Sequence, residues 1–232
     1  MRHTQRLSTI GVMAALTVVL AACGGTAAPT AAPSSAMAAP SSAAASSPSM
    51  SAPAAASTGV TTNADVFGPA CGQLPQGDAP GSLNNMGPQP VASAASTNPL
   101  LTTLVTAVGK VPGLADTLNQ QQGITVFAPY NGAFDEVKTA VGAPAFNALL
   151  EDQTKLGGLL SYHVVPKRYD ATGLVEAGKV TELAGGDVTI GGTAEAPTVT
   201  SGNGTTANIL CGNIPTSNAT VFVIDRVLMP KG

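Results

Sequence analysis

The chain has 232 residues, a formal net charge of -3, and a composition that is 44% hydrophobic but only 3% aromatic and 10% charged. Nucleic-acid binding needs a basic stripe or stacking aromatics, and the acidic balance also argues against an electrostatic hold on anionic lipid. With three cysteines and two histidines, little is left for metal or nucleophilic chemistry.

Residues 1–22 read as a lipoprotein signal peptide. Arg2 and Arg6 supply a positive start, and Ile10 to Leu20 an apolar core short for a membrane span. Leu20-Ala21-Ala22-Cys23 looks like a bacterial lipobox, in which the cysteine is diacylated and becomes the new N-terminus. The plainer reading is a secretory signal with an incidental cysteine. Gly24-Gly25, running straight into a spacer, favours the lipobox. Acyl chains stabilise membrane attachment by about 0.8 kcal/mol per buried CH₂, so the expected anchor is lipid, with palmitate among its chains. Without Arg2 and Arg6 the chain carries 8 basic and 13 acidic residues, a charge of -5.

Residues 23–64 are expected to be a disordered, lipid-anchored linker. From Gly24 to Ala64 there is no charged residue, and Ala, Ser, Thr, Pro and Gly dominate. Too few large apolar side chains are present to offset the entropy of ordering. At about 3 Å per residue such a stalk reaches of order 100 Å. Its Ser/Thr/Pro content also suits O-glycosylation.

Residues 65–96 form a loop-rich N-terminal extension containing Cys71. With Cys23 used for lipid, Cys71 and Cys211 remain, and in an exported protein that parity favours a disulfide over two free thiols. A metal pair lacks company, since His163 is the one histidine left after processing and no CxxC occurs.

Asn98 and Pro99 open a helix with Leu101, Leu104, Val105 and Val108 on one face, ended by Gly109 and Pro112. A second helix spans Leu114 to Gln120. Ile124, Val126 and Phe127 form a buried strand stopped by Pro129, and Asn131 is placed to cap a helix carrying Phe134, Val137 and Val141. Pro144 starts another helix through Leu150, and Gly157-Gly158 marks a break before Leu159 and Leu160.

Tyr162 to Val165 reads as a strand, with Tyr162 and His163 on opposite faces. For His163 the expectation is a buried imidazole bonded to main chain rather than a catalytic base. No serine, cysteine or carboxylate stands beside it in a nucleophile-base-orienter pattern. From Lys179 the pattern turns to β, with a hairpin at Gly185-Gly186-Asp187, strands at Val199 and Ile209-Leu210 around a Ser201–Gly204 turn, and an apolar last strand, Thr220 to Ile224. Asp225-Arg226 suggests a local ion pair or turn cap. The sequons at Asn203 and Asn218 mark candidate surface turns.

Three segments, in order, carry a resemblance. TVFAP-x-N-x-AF (Thr125 to Phe134) resembles the first signature box of fasciclin domains, LLSYHVV (Leu159 to Val165) the Tyr-His segment, and ATVFVIDRVLMP (Ala219 to Pro230) the second box, which ends the domain. The extension is similar to that of mycobacterial fasciclin-domain surface lipoproteins and their secreted paralogues, on PxxVASAASTNPLLTTLV (Pro88 to Val105) and the cysteine pair.

The residues alone give an exported α+β domain on a stalk, without an active site. The resemblance implies a single fasciclin domain over residues 97–231: a mixed sheet folded into a wedge or sandwich, helices packed to one side, no cofactor, no metal and no enzymatic activity. It further implies a monomeric adhesion or interaction module at the extracellular face of the cell membrane, with a shed fraction. Its partner would be extracellular matrix, cell wall or a host receptor protein. In animal domains the Tyr-His segment is tied to integrin-type adhesion, which carries over to Leu159, Leu160, Tyr162, His163, Val164 and Val165. The alternative is a surface antigen acting through acylated Cys23, sensed by lipoprotein receptors.

Overall fold

Two strands without a polar face set the architecture. In the computed structural model, which describes residues 59–231, β1 (Ile124–Pro129) and β7 (Ala219–Ile224) are buried along their whole length. They pair in parallel, Ile124 opposite Ala219 through Pro129 opposite Ile224. Strands covered on both sides need continuous apolar composition, and the two signature boxes supply it. Side-chain alternation sends Ile124, Val126, Val221 and Val223 into one core and Phe127, Phe222 and Ile224 into a second. Phe127 and Phe222 are register partners with ring centroids 6.0 Å apart.

Around this pair runs a seven-stranded mixed sheet. Its order is β2 (Val164–Val165), β1, β7, β6 (Thr206–Pro215), β5 (Ala196–Thr200), β4 (Asp187–Thr193) and β3 (Lys179–Thr181). Apart from β1 and β7, neighbours are antiparallel. β6 carries register shifts between Ile209 and Cys211 and between Cys211 and Ile214. Bulges bend a strand and increase its twist, and here they fold the sheet back over the second core. Within the second shift Asn213 adopts φ 58°, which Asn tolerates better than most residues. The sheet nearly closes: Leu183 N–H, just past β3, donates to the Val164 carbonyl of β2 at 2.7 Å.

Helices α1 (Leu83–Met86), α2 (Val91–Thr97), α3 (Thr102–Gly109), α4 (Leu114–Gln120), α5 (Asn131–Val141), α6 (Ala143–Glu151) and α7 (Gln153–Ser161) cover the first core. A further helix, α8 (Ala171–Ala177), packs on β3 and β4 against the second. The expected α+β wedge is present.

Several local expectations change. Residues 1–58, including the signal peptide, Cys23 and most of the linker, lie outside the described residues. The linker expected to reach Ala64 gives way earlier: Gly59 and Thr61 are buried, and Thr220 Oγ1 donates to the Gly59 carbonyl at 2.6 Å. The loop-rich extension holds α2, whose Val91 and Ala94 enter the core. Asn98 does cap the next turn, accepting from Leu100 N–H at 3.0 Å. Asn131 does not cap its own helix. Its Oδ1 instead accepts from Thr103 N–H and Thr102 Oγ1, both at 3.0 Å, and its Nδ2 donates to the Pro99 carbonyl. It therefore satisfies the start of α3 and locks α5 to it.

Gly157-Gly158 does not break a helix. α7 runs through both, and the break is at Asp152, whose side chain accepts from Lys155 N–H at 3.1 Å. Gly157 faces Val111, which a Cβ there would meet at 3.5 Å. Asn218 is not at the surface. It is 3% exposed, accepts from Val91 N–H, and donates to the carbonyls of Leu118 and Gln121. Asp225 binds Asn208 rather than Arg226, and Arg226 reaches Glu136 at 4.0 Å.

Cys71 and Cys211 are joined in a disulfide across 140 residues. It fastens the extension to β6 beside the Phe67–Gly212 bridge.

Candidate functional site

The Tyr-His segment lies where α7 gives way to the sheet. α7 ends at Ser161, Tyr162 and His163 form a turn, and only Val164–Val165 is strand. A strand over all four residues was expected. The helix persists because Tyr162 N–H bonds to the Gly158 carbonyl and His163 N–H to that of Leu160. The opposite orientation of the pair does hold, since Tyr162 joins the second core while His163 lies beside the first.

Tyr162 is 2% exposed. Its hydroxyl donates to the Asp187 carbonyl at 3.2 Å and accepts from Gly202 N–H at 2.9 Å. A buried Tyr hydroxyl needs such partners. These two bonds tie α7 to the β3–β4 hairpin and to the Ser201–Gly204 turn. Gly186 is required here, because a Cβ would come within 2.3 Å of the Tyr162 ring.

His163 is fully enclosed. Leu228 N–H donates to its Nε2 at 2.9 Å, so the proton sits on Nδ1, which donates to the Leu159 carbonyl at 2.7 Å. Burial lowers its pKa to about 4, opposed by the bond to Leu159. The neutral imidazole is a bracket between α7 and the segment after β7. With both nitrogens engaged by main chain, it has none to offer a reacting group.

The other four proposed contact residues, Leu159, Leu160, Val164 and Val165, are likewise buried. The expectation that these six residues form a contact surface is therefore corrected: in this fold they are core. Their apolar character reflects packing between helix layer and sheet. What the segment brings to the surface is the hairpin it holds, where Leu183 is 40% exposed.

Two groups escaped the sequence reading. Glu182, at the closure of the sheet, is 2% exposed, and neither carboxyl oxygen has a hydrogen-bond partner among the described residues. Burial, then the nearby Asp187 charge, pushes its pKa up to about 8, so it is held neutral. Half-buried Arg168 donates through Nε to Thr220 Oγ1 at 3.1 Å and through an η nitrogen to the Thr216 and Ala219 carbonyls. It binds the β6–β7 turn as a structural clamp. Only the alternation of β3, with Val180 inward and Thr181 outward, foreshadowed an inward Glu182. Among the described residues no group of three or more His, Cys, Asp or Glu is arranged to hold a metal.

A fasciclin-domain profile matches residues 99–230. The chain belongs to the fasciclin-domain family. Cell surface glycolipoprotein MPB83 of Mycobacterium bovis is 39% identical over 180 residues, covering 72% of this chain and 73% of that protein. Immunogenic protein MPB70 of the same species is 39% identical over 172 residues, covering 72% and 83%. Protein sll1483 of Synechocystis is 34% identical over 146 residues, covering 60% and 73%. In structure the fasciclin domain resembles a FAS1 domain pair from the insect cell adhesion molecule Fasciclin I, with a TM-score of 0.53 at 16% identity. That match covers 61% of this chain and 51% of the insect chain, and at that identity it bears on the fold alone.

Proposed function

We propose that this fasciclin-domain chain is an exported protein, anchored on the extracellular face of the cell membrane through acylated Cys23, and acts there as a non-enzymatic adhesion or interaction module. The observation that carries the reading is the 39% identity to relatives named cell surface glycolipoproteins, over 72% of this chain. The lipobox-like Leu20-Ala21-Ala22-Cys23 is consistent with that location. Partners are matrix, cell-wall or host receptor proteins. Contact is made by surface that the buried Tyr-His segment supports, the hairpin around Leu183 first, rather than by Tyr162 or His163.

A second reading is favoured by the relatives named glycolipoproteins: the effect on a host comes from the acyl chains on Cys23. One experiment separates the two. The acylated chain and an unacylated Cys23→Ser chain are titrated onto matrix proteins, cell-wall glycans and whole cells. Saturable binding by Cys23→Ser supports a partner-binding domain. An effect confined to the acylated form transfers the function to the lipid, and no binding by either removes the adhesion reading.

A further inference from the structure

An apolar cavity of about 300 Å³ lies between α2, α3, α4 and the β1–β2 end of the sheet. Interiors of folded proteins keep few voids larger than a water molecule, so a space of this size needs a cause. The cause is in the sequence: α2 is VASAAST, and Ala92, Ala95 and Ser96 meet Gly109 and Ala115 from the neighbouring helices. These short side chains line the gap from both sides without closing it. The floor, with Val126, Leu160 and His163, is buried, whereas Ser96 and Gly109 at the mouth are exposed.

Most of the polar side-chain atoms along this cavity already hold main chain. Ser96 Oγ donates to the Ser93 carbonyl at 2.6 Å, Asn119 Oδ1 accepts from Ala92 N–H at 3.0 Å, and both His163 nitrogens hold main chain. A peptide or sugar would have to give up its hydration there with only the Ser93 hydroxyl and the Asn119 amide nitrogen left to replace it. A hydrocarbon needs none, and it would restore the dispersion contacts that the lining forfeits when empty.

We propose that this cavity binds one linear hydrocarbon chain, the acyl tail of a lipid, with its polar head left at the mouth beside Ser96 and Gly109. The volume of about 300 Å³ is near the lower end for ligand sites and holds roughly ten groups of about 30 Å³, the size of a water or a methylene. The acyl chain has two sources, a separate lipid or the anchor expected on Cys23 of the same chain.

The test titrates dodecanoic acid by calorimetry into two full-length proteins, the acylated chain and the Cys23→Ser chain. Cavity-filling variants Gly109→Leu and Ala115→Phe are made in the latter, and thermal unfolding is recorded for each. A Cβ at Gly109 meets nothing within 4 Å, so that substitution is accommodated without a clash. Expected is one saturable site in Cys23→Ser, weakened at least tenfold by either filling variant with no fall in melting temperature. Binding by Cys23→Ser but not by the acylated chain identifies the protein's own anchor as the occupant. Equal binding by both identifies a separate lipid. No saturable binding by Cys23→Ser, or full binding by both folded filling variants, overturns the proposal.

Discussion

Replacing Glu182 with Gln should change how the stability of this domain depends on pH. In the folded protein the Glu182 carboxyl titrates near 8, against an ordinary 4.5. Between those values the folded state keeps a proton that the unfolded chain releases. The corresponding stability is fully present below pH 4.5 and is lost as pH rises through 8. His163 works in the other direction. Its folded value is about 4 against an ordinary 6.5, so its contribution is complete above pH 6.5 and is lost as pH falls toward 4. Each group alone gives a slope of up to about 1.4 kcal/mol per pH unit. The slopes oppose one another between pH 4.5 and 6.5, leaving Glu182 alone between 6.5 and 8. Wild-type stability should therefore be nearly flat in the lower window and fall by about 1–2 kcal/mol across the upper one. In Glu182→Gln the fall should disappear, and stability should instead rise up to pH 6.5 under His163 alone. Urea unfolding in steps from about pH 5 to about pH 9 measures both curves. A variant that keeps the wild-type decline above pH 6.5, or is less stable than wild type at pH 8, refutes the reasoning.

The Cys71–Cys211 bond closes 140 residues, and on the chain-entropy argument its removal in a Cys71→Ser, Cys211→Ser double variant should cost up to about 5 kcal/mol. Intact-mass alkylation should find both thiols protected until reduction, and free reactivity in the folded protein would remove the bond from the account. Asn131→Ala should cost about 0.5–2 kcal/mol, as for the loss of a helix-start cap, because Thr103 N–H and the Pro99 carbonyl lose their partner at a part-exposed site. Chemical denaturation of the single variant checks it; a loss below about 0.5 kcal/mol would mean that water replaces the amide.

The sequence carried the sheet centre well because the physics there is local. Ile124 to Phe127 and Thr220 to Ile224 are apolar on both faces, and only a central strand can use such a run. It carried side-chain partners poorly, because they are set by tertiary approach. Asn131 has the composition of a cap for α5, yet it serves α3, which the fold brings alongside. Gly157 breaks nothing because Leu156, Leu159 and Leu160 around it are buried and hold α7 against the core. α8 went unread: Asp170 caps it through Gly173 N–H, but its Gly and Val weaken the helical signal, and burial against β4 holds it instead. The family boxes located the Tyr-His segment correctly but not its role. Tyr162 and His163 alternate as expected, and both alternations end in core.

The His163→Ala variant tests the central claim, that the Tyr-His segment is internal scaffolding and acts on a partner only through the surface it supports. It is assayed by thermal unfolding beside binding to whichever matrix or cell preparation retains the Cys23→Ser chain. The account predicts a loss of about 2–5 kcal/mol, since Leu159 O and Leu228 N–H lose their partner and a void opens beside the floor of the cavity. It also predicts undiminished affinity in the fraction that remains folded. Lost binding at an unchanged melting temperature would contradict it and make His163 part of the contact surface.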